Sequence, residues 1–468
     1  MLVFSLLPSR AIAQTAPPRD GAVGQPSSRD DRPSAPRTMT LDEALAYARA
    51  HQPAVLAAKA RIAAAVSDAD VPRSQWKPNV GVSAQIFGGT ANNTTGSYAS
   101  TAAIDIPRIG ATRAVSNARS WSPYASTFVA VGAGQEVFDF GRIAAQSAAA
   151  DALVDVEKER ASLLSLDLEV DVRESYYAVF AAKSVLAAAE GAFERARVHR
   201  DFANAGVTQG IRSPIELTRA EADLGRFDVG RIRARGGVLV AQGVLAAAVG
   251  VDDMILDAGG TPPPVDDLPS LQEALQRAAA RDPAVREALA RVRSQEARTT
   301  AIGAEARPDV SLTATLSGRA GGAPPTSGTV PTGDGLLPYV PNWDVGLVLT
   351  WPIYDATIEA RANASRARED VERRAIDVVK KEQIAAVHQA YIAVGLARTA
   401  LPALERSRDA AVANQQQADA RFRQGLGASV ELADAEALRA DSEIQVALGR
   451  FAVARARAQL GRVIAEGL

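Results

Sequence analysis

Leu41-Asp42-Glu43-Ala44-Leu45, followed by Pro53-Ala54-Val55, returns later in the chain as Leu271-Gln272-Glu273-Ala274-Leu275 and Pro283-Ala284-Val285. Pro78-Asn79-Val80 returns at the same offset as Pro308-Asp309-Val310. Further on, 172–179 (VRESYYAV) matches 387–394 (VHQAYIAV), and Gln209-Gly210, Glu216-Leu217 and Ala220-Glu221 match Gln424-Gly425, Glu431-Leu432 and Ala435-Glu436, all at a second, slightly smaller offset. Two constant offsets describe one unit written twice, with a short net deletion in the second copy. Chance similarity between Ala-rich helices does not hold register in this way. The loss falls between the two sets of matches, in the hairpin loops at about 88–126 and 319–342.

Each unit opens with helical periodicity, over about 40–74 and 270–306. Thr40 with Glu43, and Ser270 with Glu273, have capping-box spacing, and each helix closes at a proline-containing turn. Period-two alternation follows. Val80, Val82, Ala84 and Ile86 alternate with Gly81, Ser83, Gln85 and Phe87, and Val310, Leu312, Ala314 and Leu316 alternate with Ser311, Thr313, Thr315 and Ser317. Partner strands are expected over 128–137 and 343–351. Strands of about 9 or 10 residues are long enough to cross a bilayer when tilted. One-sided alternation also describes a soluble sheet covering a core, so the strands alone do not decide between the two.

From 141 to 213 no proline interrupts the chain, and 357–424 is similar apart from Pro402. Some 65 helical residues extend roughly 100 Å, too long for a globular helix, so these segments must pack lengthwise in coiled-coil fashion. Leu164, Leu168, Val172, Tyr176 and Val179 form the face to be buried. Breaks at 206–214 and 425–429 turn each long helix back into a returning one, over about 215–249 and 430–465. Gly210 and Gly425 mark the two turns, the tips of helical hairpins far from the strands.

Composition agrees. The 468 residues are 47% apolar but only 5% aromatic, which suits long helices packed through small side chains. With 52 basic and 54 acidic residues the net charge is -2, so a nucleic-acid partner is not expected. Cysteine is absent, which excludes disulfides, thiolate metal sites and a lipidated N-terminal cysteine. Residues 1–13 end in Ala11-Ile12-Ala13 and read as a secretory signal, and 14–38 as a flexible leader rich in Pro, Ser, Arg and Asp. No later apolar run is long and uninterrupted enough to offer a membrane helix. His51, His199 and His388 are too far apart for a metal site, no nucleotide-binding fingerprint occurs, and no convergent polar constellation suggests an enzyme. No cofactor is expected.

Taken in order and twice over, these pieces resemble the TolC-type outer-membrane efflux family along nearly the whole chain. The resemblance rests on the opening Leu41-Asp42-Glu43-Ala44-Leu45 with His51-Gln52-Pro53, on Pro78-Asn79-Val80, and on Val137-Phe138-Asp139-Phe140-Gly141 with its counterpart Pro352-Ile353-Tyr354-Asp355. Phe422-Arg423-Gln424-Gly425, running on to Glu431-Leu432-Ala433-Asp434-Ala435, completes it. The resemblance implies a mainly α chain with a β-barrel portion. Four strands per chain would contribute to a homotrimeric 12-stranded barrel in the outer membrane, continued by a coiled-coil tunnel in the periplasm. It also implies a periplasmic adaptor and an inner-membrane pump as partners, with outer-membrane lipid around the barrel. The chain would then be the passive exit duct for small molecules or polypeptides. The units would be 39–250 and 270–468, joined by a linker at 251–269. Independent of the resemblance, four strands cannot close a barrel and eight leave no passage, so three or more chains are needed to conduct.

In the family the tips form the periplasmic entrance, where acidic residues make a constriction. Glu431 and Asp434 match its acids, Phe422 its aromatic position, and Glu216 is the acid of the first tip. Gly427 stands where some members carry a basic residue, and Arg212 of the first tip is the candidate substitute. Glu216 and Glu431 also suit helix N-termini for purely structural reasons. Gly210 and Gly425 mark the expected adaptor contacts. The alternative is a secreted coiled-coil or adhesin-like surface protein without transport activity, which leaves the paired hairpins unexplained.

Overall fold

The computed structural model describes residues 37–90, 100–101, 104–105, 123–252, 255–260, 268–321 and 340–466. The expected signal at 1–13, the leader up to 36 and most of both hairpin loops lie outside the described residues. In chain order the elements are β1 (Arg37–Met39), α1 (Leu41–His51), α2 (Pro53–Ser74), β2 (Asn79–Thr90), β3 (Ser100–Thr101), β4 (Ile104–Asp105), β5 (Pro123–Phe138), α3 (Arg142–Thr208) and α4 (Pro214–Val249). They continue as β6 (Leu256–Ala258), α5 (Leu271–Arg281), α6 (Pro283–Ala304), β7 (Asp309–Gly321), β8 (Val340–Thr350), α7 (Ala356–Arg423) and α8 (Ser429–Val463). The protein is mostly helical.

The opening helices differ from expectation, for a local reason. Each is two helices, because the residue before a proline is pushed out of the α region. Gln52 sits at φ −60°, ψ 124° before Pro53, and Asp282 at φ −61°, ψ 119° before Pro283. Both turn the break into a cap, Gln52 accepting from the Ala54 N–H at 3.0 Å and Asp282 from the Ala284 N–H at 2.8 Å. The Thr40–Glu43 capping box forms in full, whereas Ser270 makes only its own half.

The four longer strands make one antiparallel sheet in the order β2-β5-β7-β8. At 12, 16, 13 and 11 residues they outrun the length expected, because ladder pairing continues past the alternating stretch into Gly-containing ends. Register aligns one apolar face across all four. Val82 pairs with Val131, Val131 with Leu316, and Leu316 with Trp343. That face is bare: Val82 is 70% exposed, Ile86 79%, Trp343 75% and Leu347 70%. The opposite face carries Ser83, Gly132 and Thr315, and here Ser83 and Thr315 are the buried ones, at 7% and 6%. A soluble sheet would hide its apolar face. This one is inside out, as a barrel wall in lipid is.

α3 and α7, of 67 and 68 residues, extend about 100 Å each. α3 packs against α2 and α4 on one side and α6 and α8 on the other, and α7 packs against α6 and α8. The helices thus form a single layer whose edges are α2 with α4, and α7. Two cores pin the layer where the short helices end. One joins Ala44, Ala48, Val172, Val179, Leu245 and Val249; the other joins Ala274, Ala278, Val387, Val394, Leu460 and Ile464. Matching members keep the two offsets of the sequence matches, the larger for the short helix and the smaller for the long and returning ones.

Two further corrections concern segments expected to be plain. Residues 37 and 38, assigned to the flexible leader, pair together with Met39 in parallel with 256–258 of the linker, because Met39, Leu256 and Ala258 complete the first core. Tyr176 fixes this strap by donating its hydroxyl to the Gly259 carbonyl. α4 and α7 each contain an 18-residue window apolar enough on average to cross a membrane, although neither has an uninterrupted run. Only 28% and 11% of those windows are buried, and both lie on the edges of the helical layer.

Candidate functional site at the helical tips

Both tips turn on the same device. Gly210 and Gly425 sit at φ +73° and +75°, where only glycine is unstrained. In the first tip the Ile211 and Arg212 N–H groups return to the Gly206 carbonyl at 2.9 and 3.1 Å. In the second, the Leu426 and Gly427 N–H groups return to the Arg421 carbonyl at the same distances. Ile211 and Leu426 are thereby thrust outward, 75% and 70% exposed.

Arg212 folds back over this turn and joins the two tips. Its Nη1 donates to Glu216 Oε2 at 2.8 Å, and its Nη2 donates to the Phe422 carbonyl at 2.7 Å. The guanidinium carbon lies 3.9 Å from the centre of the Phe422 ring and 5.2 Å from that of Phe202, within cation–π reach of both rings of an edge-to-face pair. Gly206 makes room, since a Cβ there would stand 2.7 Å from the Arg212 side chain. Phe422 is buried with Ala418, Leu432 and Ala435, and the His199 ring meets its edge at 4.7 Å. Burial lowers the His199 pKa below 6.5, with Arg212 acting in the same direction and Asp223, Asp419 and Glu216 opposing. A cavity of about 430 Å³ opens beside this cluster, between His199, Phe202 and Phe422 on one side and Arg195, Gln415 and Glu436 on the other.

Of the five sequence-predicted entrance residues, the fold brings Arg212, Glu216 and Phe422 together and leaves two apart. Glu431 is exposed, with Arg421 Nε at 3.5 Å, a solvated pair of little worth. Asp434 lies one turn further along α8, exposed as well. Arg212 therefore reaches the second tip at Phe422, not at these acids. Sequence reasoning missed the outward pairs Ile211/Leu426 and Ile215/Val430, although each pair keeps the repeat offset that would have flagged it. It also missed Arg195, Gln415 and Glu436, whose meeting depends on the lateral register of α3 against α7 and α8. Among the described residues no group of three or more His, Asp or Glu is placed to hold a metal ion. His51 stacks on Tyr47, and His388 lies mid-way along α7, far from the tips.

The family model described as outer membrane efflux protein matches residues 44–251 and again 274–466. No curated protein sequence matches the chain. Among solved structures, the outer-membrane channel OprN superposes with a TM-score of 0.69 at 20% identity, covering 91% of this chain and 90% of its own. A membrane protein from Pseudomonas aeruginosa gives 0.70 at 19% identity, with 91% and 93% covered. The Campylobacter jejuni outer membrane channel CmeC gives 0.68 at 15% identity, with 92% and 86% covered. At these identities the likeness is one of fold.

Proposed function

Because the chain belongs to the outer membrane efflux protein family, we propose that it is the outer-membrane exit duct of a tripartite efflux or type I secretion system, working as a homotrimer. The observation that carries this reading is the inside-out sheet, whose apolar face stays bare while its polar face is covered. Lipid would cover the bare face, and three copies of the sheet would close twelve strands by pairing β8 of one copy with β2 of the next. The polar faces of twelve strands enclose a passage.

The helical layer supports the same closure. α6 lodges between α3 and α7, while α2, its counterpart in the first unit, packs on α3 and presents Leu56, Val66 and Val71 outward. α7 of a neighbouring copy would fill that side, and the exposed apolar windows of α4 and α7 would meet at the same seam. The units are then 39–250 and 270–468, a duplicated wall joined by 251–269. Their two tips form the periplasmic entrance. Arg212, Glu216 and Phe422 clasp the tips, Glu431 and Asp434 face the aperture, and the outward Ile211 and Leu426 beside Gly210 and Gly425 meet a periplasmic adaptor, behind which an inner-membrane pump supplies the energy. The chain itself needs no catalysis.

Reconstitution of the purified protein into planar bilayers tests the duct. Discrete conductance steps are expected, together with a cation preference that weakens when Glu431→Gln and Asp434→Asn are combined, since a ring of carboxylates favours cations. A protein that inserts stably and conducts nothing under any applied voltage contradicts the proposal.

A further inference from the structure

Where the strands meet the helices, the duplication keeps a basic residue that conduction does not call for. Lys77-Pro78 and Arg307-Pro308 occupy matching positions, each just before the opening of a strand, β2 in the first unit and β7 in the second. Both are exposed, and among the described residues neither forms an ion pair. Arg307 is fixed by its surroundings: its Nη1 donates to the Phe140 carbonyl at 2.9 Å. That carbonyl belongs to the turn from β5 into α3, where Phe140 sits at φ +52° and Gly141 at φ +89°. A left-handed residue other than glycine costs energy and persists only where neighbours hold it, as Arg307 does. The guanidinium keeps further N–H donors for something else.

Around these two bases the surface is aromatic. A bulge between Glu136 and Phe138 brings Phe138 opposite Val310, on the bare face of the sheet. Its ring meets that of Phe140 edge to face at 4.6 Å, and both are about half exposed. Trp351 and Tyr354 stand at the corresponding junction of the second unit, 55% and 80% exposed, and Trp76 precedes Lys77. The acids of the same junctions are engaged elsewhere. Asp139 caps α3 by accepting from the Gly141 and Ile143 N–H groups, and Asp355 caps α7 by accepting from those of Thr357 and Ile358. Glu305 pairs with Arg361. Glu136 shares the covered face with Ser311 and pairs with Arg142 at 3.2 Å. The rim of the bare face is therefore both aromatic and positive.

Rings of this kind sit at headgroup level, where hydrocarbon gives way to water. A guanidinium held in place matches the geometry of a phosphate. A zwitterionic headgroup brings its own ammonium to its phosphate, whereas an anionic one leaves that charge for the protein to meet, so uncompensated bases favour the anionic lipid. We propose that Lys77 and Arg307 bind the phosphate of anionic phospholipids, such as phosphatidylglycerol, in the membrane leaflet on the side of the helices. In the strand order β2-β5-β7-β8 they head every second strand. Two sites per chain in three chains give six, evenly spaced around the rim of the barrel. This rests on the bare face lying in lipid, as proposed above.

The test is quenching of tryptophan fluorescence by brominated lipid in vesicles that mix phosphatidylglycerol with phosphatidylcholine, the bromine placed on one lipid and then on the other. With Trp121→Phe and Trp343→Phe as background, Trp76 and Trp351 are the reporters, and the heat-modifiable trimer band checks assembly. Phosphatidylglycerol is expected to be favoured about five-fold over phosphatidylcholine beside the reporters. The preference should fall toward one in the paired Lys77→Gln, Arg307→Gln variant and survive in Lys77→Arg with Arg307→Lys, which keeps the charge and disturbs the side chains as much. Where the paired variant does not assemble, Lys77→Gln alone decides, since no hydrogen bond to the turn is lost with it, and it should weaken the preference about two-fold. Equal quenching by the two lipids, or a preference that outlives both bases, overturns the proposal and leaves the lipid-facing sheet intact. Reporters that neither lipid quenches overturn both.

Discussion

Val172 and Val387 are fully buried at matching repeat positions on α3 and α7, and each sits in a core with an alanine pair of its own short helix. If the two cores are one design used twice, trimming either valine to alanine should cost about 1–3 kcal/mol, alike for both within about 0.5 kcal/mol. The thermal midpoint of the detergent-solubilised protein reads this; a large cost at one site and none at the other would refute equivalence. His199 makes a second prediction. Its folded-state pKa lies below the unfolded 6.5 because burial resists charging. The unfolded chain therefore takes up the proton first, and the tip loses stability as pH falls below 6.5, with no penalty above it. Amide exchange over 195–205 and 418–424 should quicken between about pH 7.5 and about pH 5.5 beyond its intrinsic change, and His199→Gln should flatten that response. An equal response in the variant would assign it to the surrounding carboxylates, Asp223, Asp419 and Glu216. Of the residues at the tips, Phe422, Arg212 and Glu216 were legible because motif and repeat register point to them. Arg195 and Glu436 were not, because no sequence period reports how two long helices slide against each other.

At the scale of elements, the long helices and alternating strands were legible because nothing breaks 142–208 and because period two is unmistakable in 310–317. The missed breaks at Gln52 and Asp282 came from underweighting Pro53 and Pro283 inside otherwise helical stretches. The strap of β1 on β6 left no signal, since so short a strand carries no period and its partner lies in the linker, beyond the far end of the first unit. The sheet supplies the sharpest test at this scale. Leu347 is on the bare face and Thr313 on the covered one, although they stand on neighbouring strands. Leu347→Arg should cost about 2–4 kcal/mol and reduce outer-membrane assembly, because it places a charge in lipid. Thr313→Arg should assemble normally and change conductance instead. Equal tolerance at both positions, measured by the trimer band in membrane fractions, would contradict the assigned faces.

For the whole molecule, among the described residues the sheet ends at β2 and β8 and the helical layer at α2 with α4 and at α7, so that each unit supplies one edge of both. On the proposed reading, copies of such a chain join head to tail until the ring closes. Three copies give twelve strands, the smallest closure from four-strand units that leaves a passage. Family membership places the protein in the outer membrane, and its own faces explain how it sits there: apolar strands outward, small and polar residues inward, helices about 100 Å long beneath. The most direct measurement is the mass of the species extracted in mild detergent from outer-membrane fractions of cells expressing the full chain. The account predicts a heat-modifiable assembly of three chains, each of at most 48.9 kDa. A monomer recovered from the soluble periplasmic fraction would contradict it.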